Sequence, residues 1–300
     1  MKIRNALKMV TMLVLIFSLV ACGSNEIIEG NNSNNSQASK STLEEIKDEG
    51  KAKVGFANEK PYAYQESNGD LTGEAVEIAR VILERIGVSE MEGELSEFGS
   101  LIGGLQSKRF DMITAGMFVN PLRCESVLFA NPEYSIGESI GVLTGNPHNI
   151  HSYADIAANP EVKVAVMVGA VEIGYLEAME VPAEQIVQVP DQAAAISALQ
   201  SNRAQVITMT GPSLQAMLES ANDSDIERVM DFEQPIVDGV SVRGYGATAF
   251  HKDDADLRDA FNAELAKMKD SGELLEILEQ FGFTEQELPG DMTAEELCKV

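Results

Sequence analysis

The sequence has few of the side chains on which metal sites and nucleic-acid binding depend. Among 300 residues there are three histidines and three cysteines, and 22 lysines and arginines stand against 48 aspartates and glutamates. His148 and His151 share one loop-like stretch with no third ligand or cysteine nearby, so no metal site is expected. The net charge of −26 repels phosphate backbones and anionic lipid, which excludes a nucleic-acid partner and a basic membrane-binding face. The apolar run at 10–21 is too short to span a bilayer as a helix. No P-loop, Gly-x-Ser-x-Gly motif or Gly-x-Gly-x-x-Gly fingerprint stands where it would act, and no cofactor is expected.

What is present begins with a targeting signal. Lys2, Arg4 and Lys8 precede the apolar run, which ends in Leu19-Val20-Ala21-Cys22. That order resembles a bacterial lipobox, in which small residues precede the cut and a thiol carries the lipid. It predicts a lipoprotein signal peptide over 1–21 and lipidation at Cys22. The chain would then be lipid-anchored to the cell membrane, on its extracytoplasmic face, without crossing it. The alternative is a plain secretory signal with an incidental cysteine. Loss of the three cations takes the net charge from −26 to −29. Residues 22–41 are rich in Asn, Ser and Gly, carry too little apolar surface to pack, and are expected to be a flexible tether. With Cys22 assigned to lipid, Cys124 and Cys298 remain. Two thiols outside the cytoplasm can make one bridge, or stay unpaired with one buried.

From 42 onward strand and helix patterns alternate, which implies parallel strands with crossover helices. Strands are expected at 53–57, 91–98 and 111–115. A helix over 71–86 buries Ile78, Val81, Ile82 and Ile86, with Thr72 able to cap its start and Gly87 able to end it. The run 139–144 is a strand that leaves this unit. A second set follows, with strands at 162–168, 185–189 and 205–209 and helices at 170–179, 191–200 and 212–220. The run 242–250 is expected to return to the first lobe, before a helix that buries Leu257, Phe261, Leu265 and Met268. The predicted organisation is a lobe of 42–143 plus 245–300 interrupted by a second lobe of 144–244, joined at a hinge.

Three segments each put an aromatic ring just past a strand-like run. They are Gly55-Phe56-Ala57-Asn58-Glu59-Lys60-Pro61-Tyr62, Glu97-Phe98-Gly99-Ser100 and Ala115-Gly116-Met117-Phe118-Val119-Asn120-Pro121-Leu122-Arg123. Ligands of open α/β sheets sit beyond the carboxyl ends of strands. Rings, the Glu59 carboxylate and the Arg123 guanidinium meeting there suit a small solute with a cationic ring and a carboxylate.

These segments resemble the solute-binding lipoproteins of ABC importers, in the cluster that carries polar amino acids. A narrower resemblance is to the ectoine/hydroxyectoine-binding proteins. It rests on Glu97-Phe98-Gly99-Ser100-Leu101-Ile102, Val242-Arg243-Gly244-Tyr245-Gly246-Ala247 and the tail from Gly282 to Cys298. The resemblance implies an α/β, two-lobed periplasmic-binding-protein-like (type II) fold with two hinge crossings. It implies no catalysis, a permease partner in the membrane and a monomer. Arg123 would grip the solute carboxylate, because a planar fork pairs bidentately with it. Tyr62, Phe98 and Phe118 would wall a cation, and Glu59 would accept its N–H groups. Met209 stands where amino-acid binders of this cluster place an aspartate for the α-ammonium. From the second lobe, Gly169 and Val171 would offer backbone donors at a helix start, and Ala170 and Val171 lack the hydroxyls common there. Glu172 is expected to complement the helix dipole, Phe56 to be core and Tyr245 to be hinge packing. The alternatives are a binder of a polar amino acid or betaine-like solute, and a periplasmic dehydratase on the same fold.

Overall fold

The computed structural model describes residues 40–237 and 239–299. The expected signal peptide, Cys22 and nearly all of the expected tether lie outside the described residues.

Two five-stranded sheets organise the rest. In the first, the spatial order is Glu90–Leu95, Lys51–Phe56, Met112–Ile113, Ala249–Phe250 and Leu128–Phe129. The first three strands are parallel, and Ala249–Phe250 runs against both of its neighbours. The helix Glu74–Ile86 buries Ile78, Ile82 and Leu83 and ends at Gly87 in the left-handed conformation. Its start differs from the expectation. Leu71–Thr72 pairs as a short strand with Tyr64–Gln65, and Gly73 opens the helix. Gly73 has φ of 126°, and a Cβ there would meet the Tyr62 carbonyl oxygen at 2.3 Å, so neither conformation nor space admits a larger residue. The helix Ala255–Ser271 buries the expected stripe Leu257, Phe261, Leu265 and Met268 in the same core.

The second sheet runs Ile186–Val189, Val164–Met167, Val206–Thr210, Glu138–Leu143 and Ile226–Arg228. Its first three strands are parallel; Glu138–Leu143 is antiparallel to both neighbours. This moves a boundary. Residues 138–143, placed by sequence in the first lobe, pair with Val206–Thr210 and Ile226–Arg228 of the second sheet. The run 242–250 also divides. Gly244–Gly246 pairs antiparallel with Tyr134–Ile136, while Ala249–Phe250 joins the first sheet. Those two paired segments are the crossings between lobes. The architecture is thus α/β and two-lobed, with a hinge of two extended strands.

Cys124, closing the short helix Pro121–Cys124, is bonded to Cys298 across a sequence separation of 174. The bridge holds the C-terminal segment against the first lobe. Among the described residues no helix is long and apolar enough to cross a membrane.

Candidate functional site

The carboxyl ends of strands from both sheets converge on the cleft, as a parallel α/β sheet requires of its ligand site. After Phe56 the chain turns tightly: Glu59 N–H donates to Ala63 O at 2.8 Å, and Ala63 N–H returns to Glu59 O at 2.9 Å. This turn holds Glu59 and Tyr62 in the cleft. Phe98 follows the strand Glu90–Leu95, and Gly116 and Phe118 follow Met112–Ile113. Arg123 sits on the helix Pro121–Cys124, whose Asn120 cap accepts the Arg123 N–H at 2.9 Å. From the second lobe come Met167, Ala170, Val171 and Glu172, at the end of Val164–Met167 and the start of the helix Glu172–Ala178. Thr210 ends the strand Val206–Thr210. Together these side chains line a small, partly open chamber.

The lobes clasp each other around this chamber. Tyr62 Oη and Thr210 Oγ1 are 2.6 Å apart. Glu59 Oε1 accepts from Gln192 Nε2 at 2.5 Å and from Ser213 Oγ at 3.0 Å. Arg123 donates to Phe118 O at 2.7 Å within its own lobe and to Gly169 O at 2.9 Å across the cleft. Gly169 has φ of 79°, and a Cβ there would lie 2.7 Å from the Gly99 Cα, so backbone approaches backbone directly.

Residues 52–285 match the bacterial extracellular solute-binding proteins, family 3. The chain belongs to that family. It is 38% identical over 261 residues, 86% of this chain and of the relative, to a probable amino-acid ABC transporter periplasmic-binding protein of Sinorhizobium fredii. The crystal structure of EhuB in complex with hydroxyectoine shares 36% identity at a TM-score of 0.79, over 86% of this chain and 97% of that one. An ancestral amino acid-binding protein, described as a precursor of cyclohexadienyl dehydratase, shares 25% identity at a TM-score of 0.69, over 80% and 99%. The chain is accordingly an extracytoplasmic solute-binding protein of an ABC importer of the amino-acid type.

Of the residues singled out in the binding protein's sequence, Glu59, Tyr62, Phe98, Phe118, Arg123 and Val171 all line the chamber. Gly169 stands beside it as the acceptor for Arg123. The rings are less free than expected. The Phe98 centroid lies 5.5 Å from the Arg123 guanidinium carbon, so this ring supports the protein's own cation. Tyr62 stacks on Tyr134 with centroids 5.3 Å apart and planes 18° apart. Phe118 packs over Gly244, where a Cβ would meet the ring at 1.8 Å. Phe56 is core, and Tyr245 lies in the hinge ribbon, outside the chamber.

Glu172 corrects the sequence reading. It does stand in the first helical turn, but it is buried and lines the chamber. It stands near Glu138, also buried, whose two carboxyl oxygens have no hydrogen-bond partner. Burial pushes both above the ordinary carboxylate range, and the charge of Glu172 raises Glu138 further. Burial, then the nearness of Glu172, pushes Glu59 up to about 8. Burial lowers Arg123 to about 10, which leaves it cationic at neutral pH. Sequence reasoning missed Gln192, Ser213, Thr210, Met167 and Glu138. Most of them lie within a few residues of a strand's carboxyl end, the same rule that found Glu59 and Phe98. Among the described residues no cluster of His, Cys, Asp or Glu could hold a metal ion.

Proposed function

We propose that this receptor captures a zwitterionic compatible solute of the ectoine/hydroxyectoine type between its lobes and delivers it to a membrane permease. The observation that carries this reading is the pairing of Arg123 with Glu59 on one chamber walled by Phe118, Phe98 and Tyr62. Arg123 has five N–H donors; two are engaged by Phe118 O and Gly169 O, and the others remain for a carboxylate. Glu59 Oε2 has no partner among the described residues and is placed to accept an amidinium N–H. Phe118 offers the apolar wall of a delocalised cation. Met209 supplies no charge for an α-ammonium, which weighs against an ordinary α-amino acid. The likeness to EhuB supports the same class of solute.

The reading includes lipid attachment at Cys22 and a monomeric receptor. Seven residues are proposed to contact the solute: Glu59, Tyr62, Phe98, Phe118, Arg123, Gly169 and Val171. Native mass spectrometry of freshly purified protein, followed by calorimetry with ectoine, hydroxyectoine and glycine betaine, tests it. Co-purified or added ectoine-type solute is expected to bind and to leave with unchanged mass. A betaine-only binder, or a solute recovered as a dehydrated product, would replace this reading.

A further inference from the structure

Beside the aromatic chamber lies a small inner annex. It shares Glu59, Met167, Ala170 and Glu172 with the chamber and adds Gln192, Ala195, Thr208 and Met209. Its polar walls are almost wholly acceptors. Gln192 is only 6% exposed. Its Nε2 donates to Glu59 Oε1 and to Ser213 Oγ at 2.7 Å, and its buried Oε1 has no partner. Glu172, equally buried, stands near Glu138. Both carboxyl oxygens of Glu138 are buried without a hydrogen-bond partner. The Thr208 hydroxyl is already engaged by Tyr153 Oη at 2.5 Å and Ser139 O at 3.2 Å. The rest of the wall is apolar: Met167, Met209, Ala170 and Ala195.

Buried acceptors without donors are rare in folded proteins, because each forfeits its bonds to water. A site built to bond a donor therefore discriminates strongly against an analogue that lacks it. We propose that the annex receives an additional O–H or N–H donor of the solute, bonded by Gln192 Oε1 and Glu172. The preferred solute is thus a zwitterion that carries a hydroxyl or amino substituent besides its carboxylate and cation. This rests on the zwitterion reading above.

Calorimetry with two matched pairs tests it: ectoine against hydroxyectoine, and 2-aminobutyrate against 2,4-diaminobutyrate. In each pair that binds, the donor-bearing member is expected to bind at least about tenfold more tightly. Gln192→Met is expected to bring that ratio towards one, with thermal melting as the check on folding. Glu172→Met is the second variant should the first fail to fold. Equal binding of both members by the wild type overturns the annex and leaves the zwitterion reading standing. Binding of none of the four overturns the zwitterion reading and the annex with it. A ratio unchanged in folded Gln192→Met or Glu172→Met places the donor elsewhere and also overturns the proposal.

Discussion

Arg123 serves the cleft in two ways, and paired substitutions separate them. It bridges the lobes through Phe118 O and Gly169 O, and its remaining N–H groups are available to a solute carboxylate. Arg123→Ala leaves that carboxylate desolvated and unpaired, which costs about 2–5 kcal/mol. The dissociation constant then rises by roughly 30-fold to several thousandfold. Arg123→Lys keeps the charge but cannot hold two carbonyls and a bidentate carboxylate at once. Losing one charged hydrogen bond is worth about 1.5–3 kcal/mol, so the lysine variant is expected to fall between alanine and wild type. Removing one ring face costs less, about 0.5–2 kcal/mol. Phe118→Ala should therefore bind better than Arg123→Ala. Phe98→Ala should mimic a mild Arg123 defect, because that ring lies against the guanidinium. Isothermal calorimetry with ectoine on these four variants gives the order directly. Wild-type affinity in Arg123→Ala would show that the carboxylate is held elsewhere and would refute the placement.

Glu59 predicts a pH dependence. Burial raises its pKa to about 8 from the ordinary carboxylate value of about 4.5. Its protonated form therefore contributes stability that is full below about 4.5 and lost as pH rises through about 8. A cationic solute that needs the carboxylate expels this proton, so affinity should rise towards pH 8. Calorimetry in buffers of different ionisation enthalpy should detect proton release, and Glu59→Gln should abolish it while sparing a quaternary betaine; no release in the wild type would contradict the assignment. Breaking the Cys124–Cys298 bridge by Cys298→Ser is expected to cost about 2–5 kcal/mol, seen as a lower melting temperature that matches reduced wild type; identical melting with and without reductant would argue against it. Gly169→Ala should weaken binding at least about tenfold, because its Cβ meets Gly99 and its φ is positive, while small-angle scattering shows a more open molecule; unchanged affinity would mean that closure does not need this contact. Cys22→Ser should release the chain from the membrane fraction or leave it unprocessed, and a wild-type chain found wholly soluble after secretion would refute the anchor.

Periodicity and position made much of this protein legible from sequence. Leu257, Phe261, Leu265 and Met268 recur at helical spacing and are buried together, because one face of a helix must leave water. The strand–helix alternation implied parallel sheets, and the rule for their carboxyl ends, together with the family resemblance, pointed to Glu59, Tyr62, Phe98, Phe118 and Arg123, which line the chamber. Local pattern could not decide which sheet takes residues 138–143. An apolar strand looks the same wherever it pairs, and only hydrogen bonding to Val206–Thr210 and Ile226–Arg228 places it in the second lobe. Nor could it assign Glu172, whose place in a first helical turn has a sufficient local explanation. Its burial beside Glu138, which comes from a different strand, is visible only in the folded protein. Gln192 and Ser213 reach Glu59 over sequence separations of 133 and 154 residues. Residue type and spacing thus determine which elements form and which loops face the cleft. Contacts between lobes depend on how two separately folded surfaces meet, and no local sequence signal encodes that meeting.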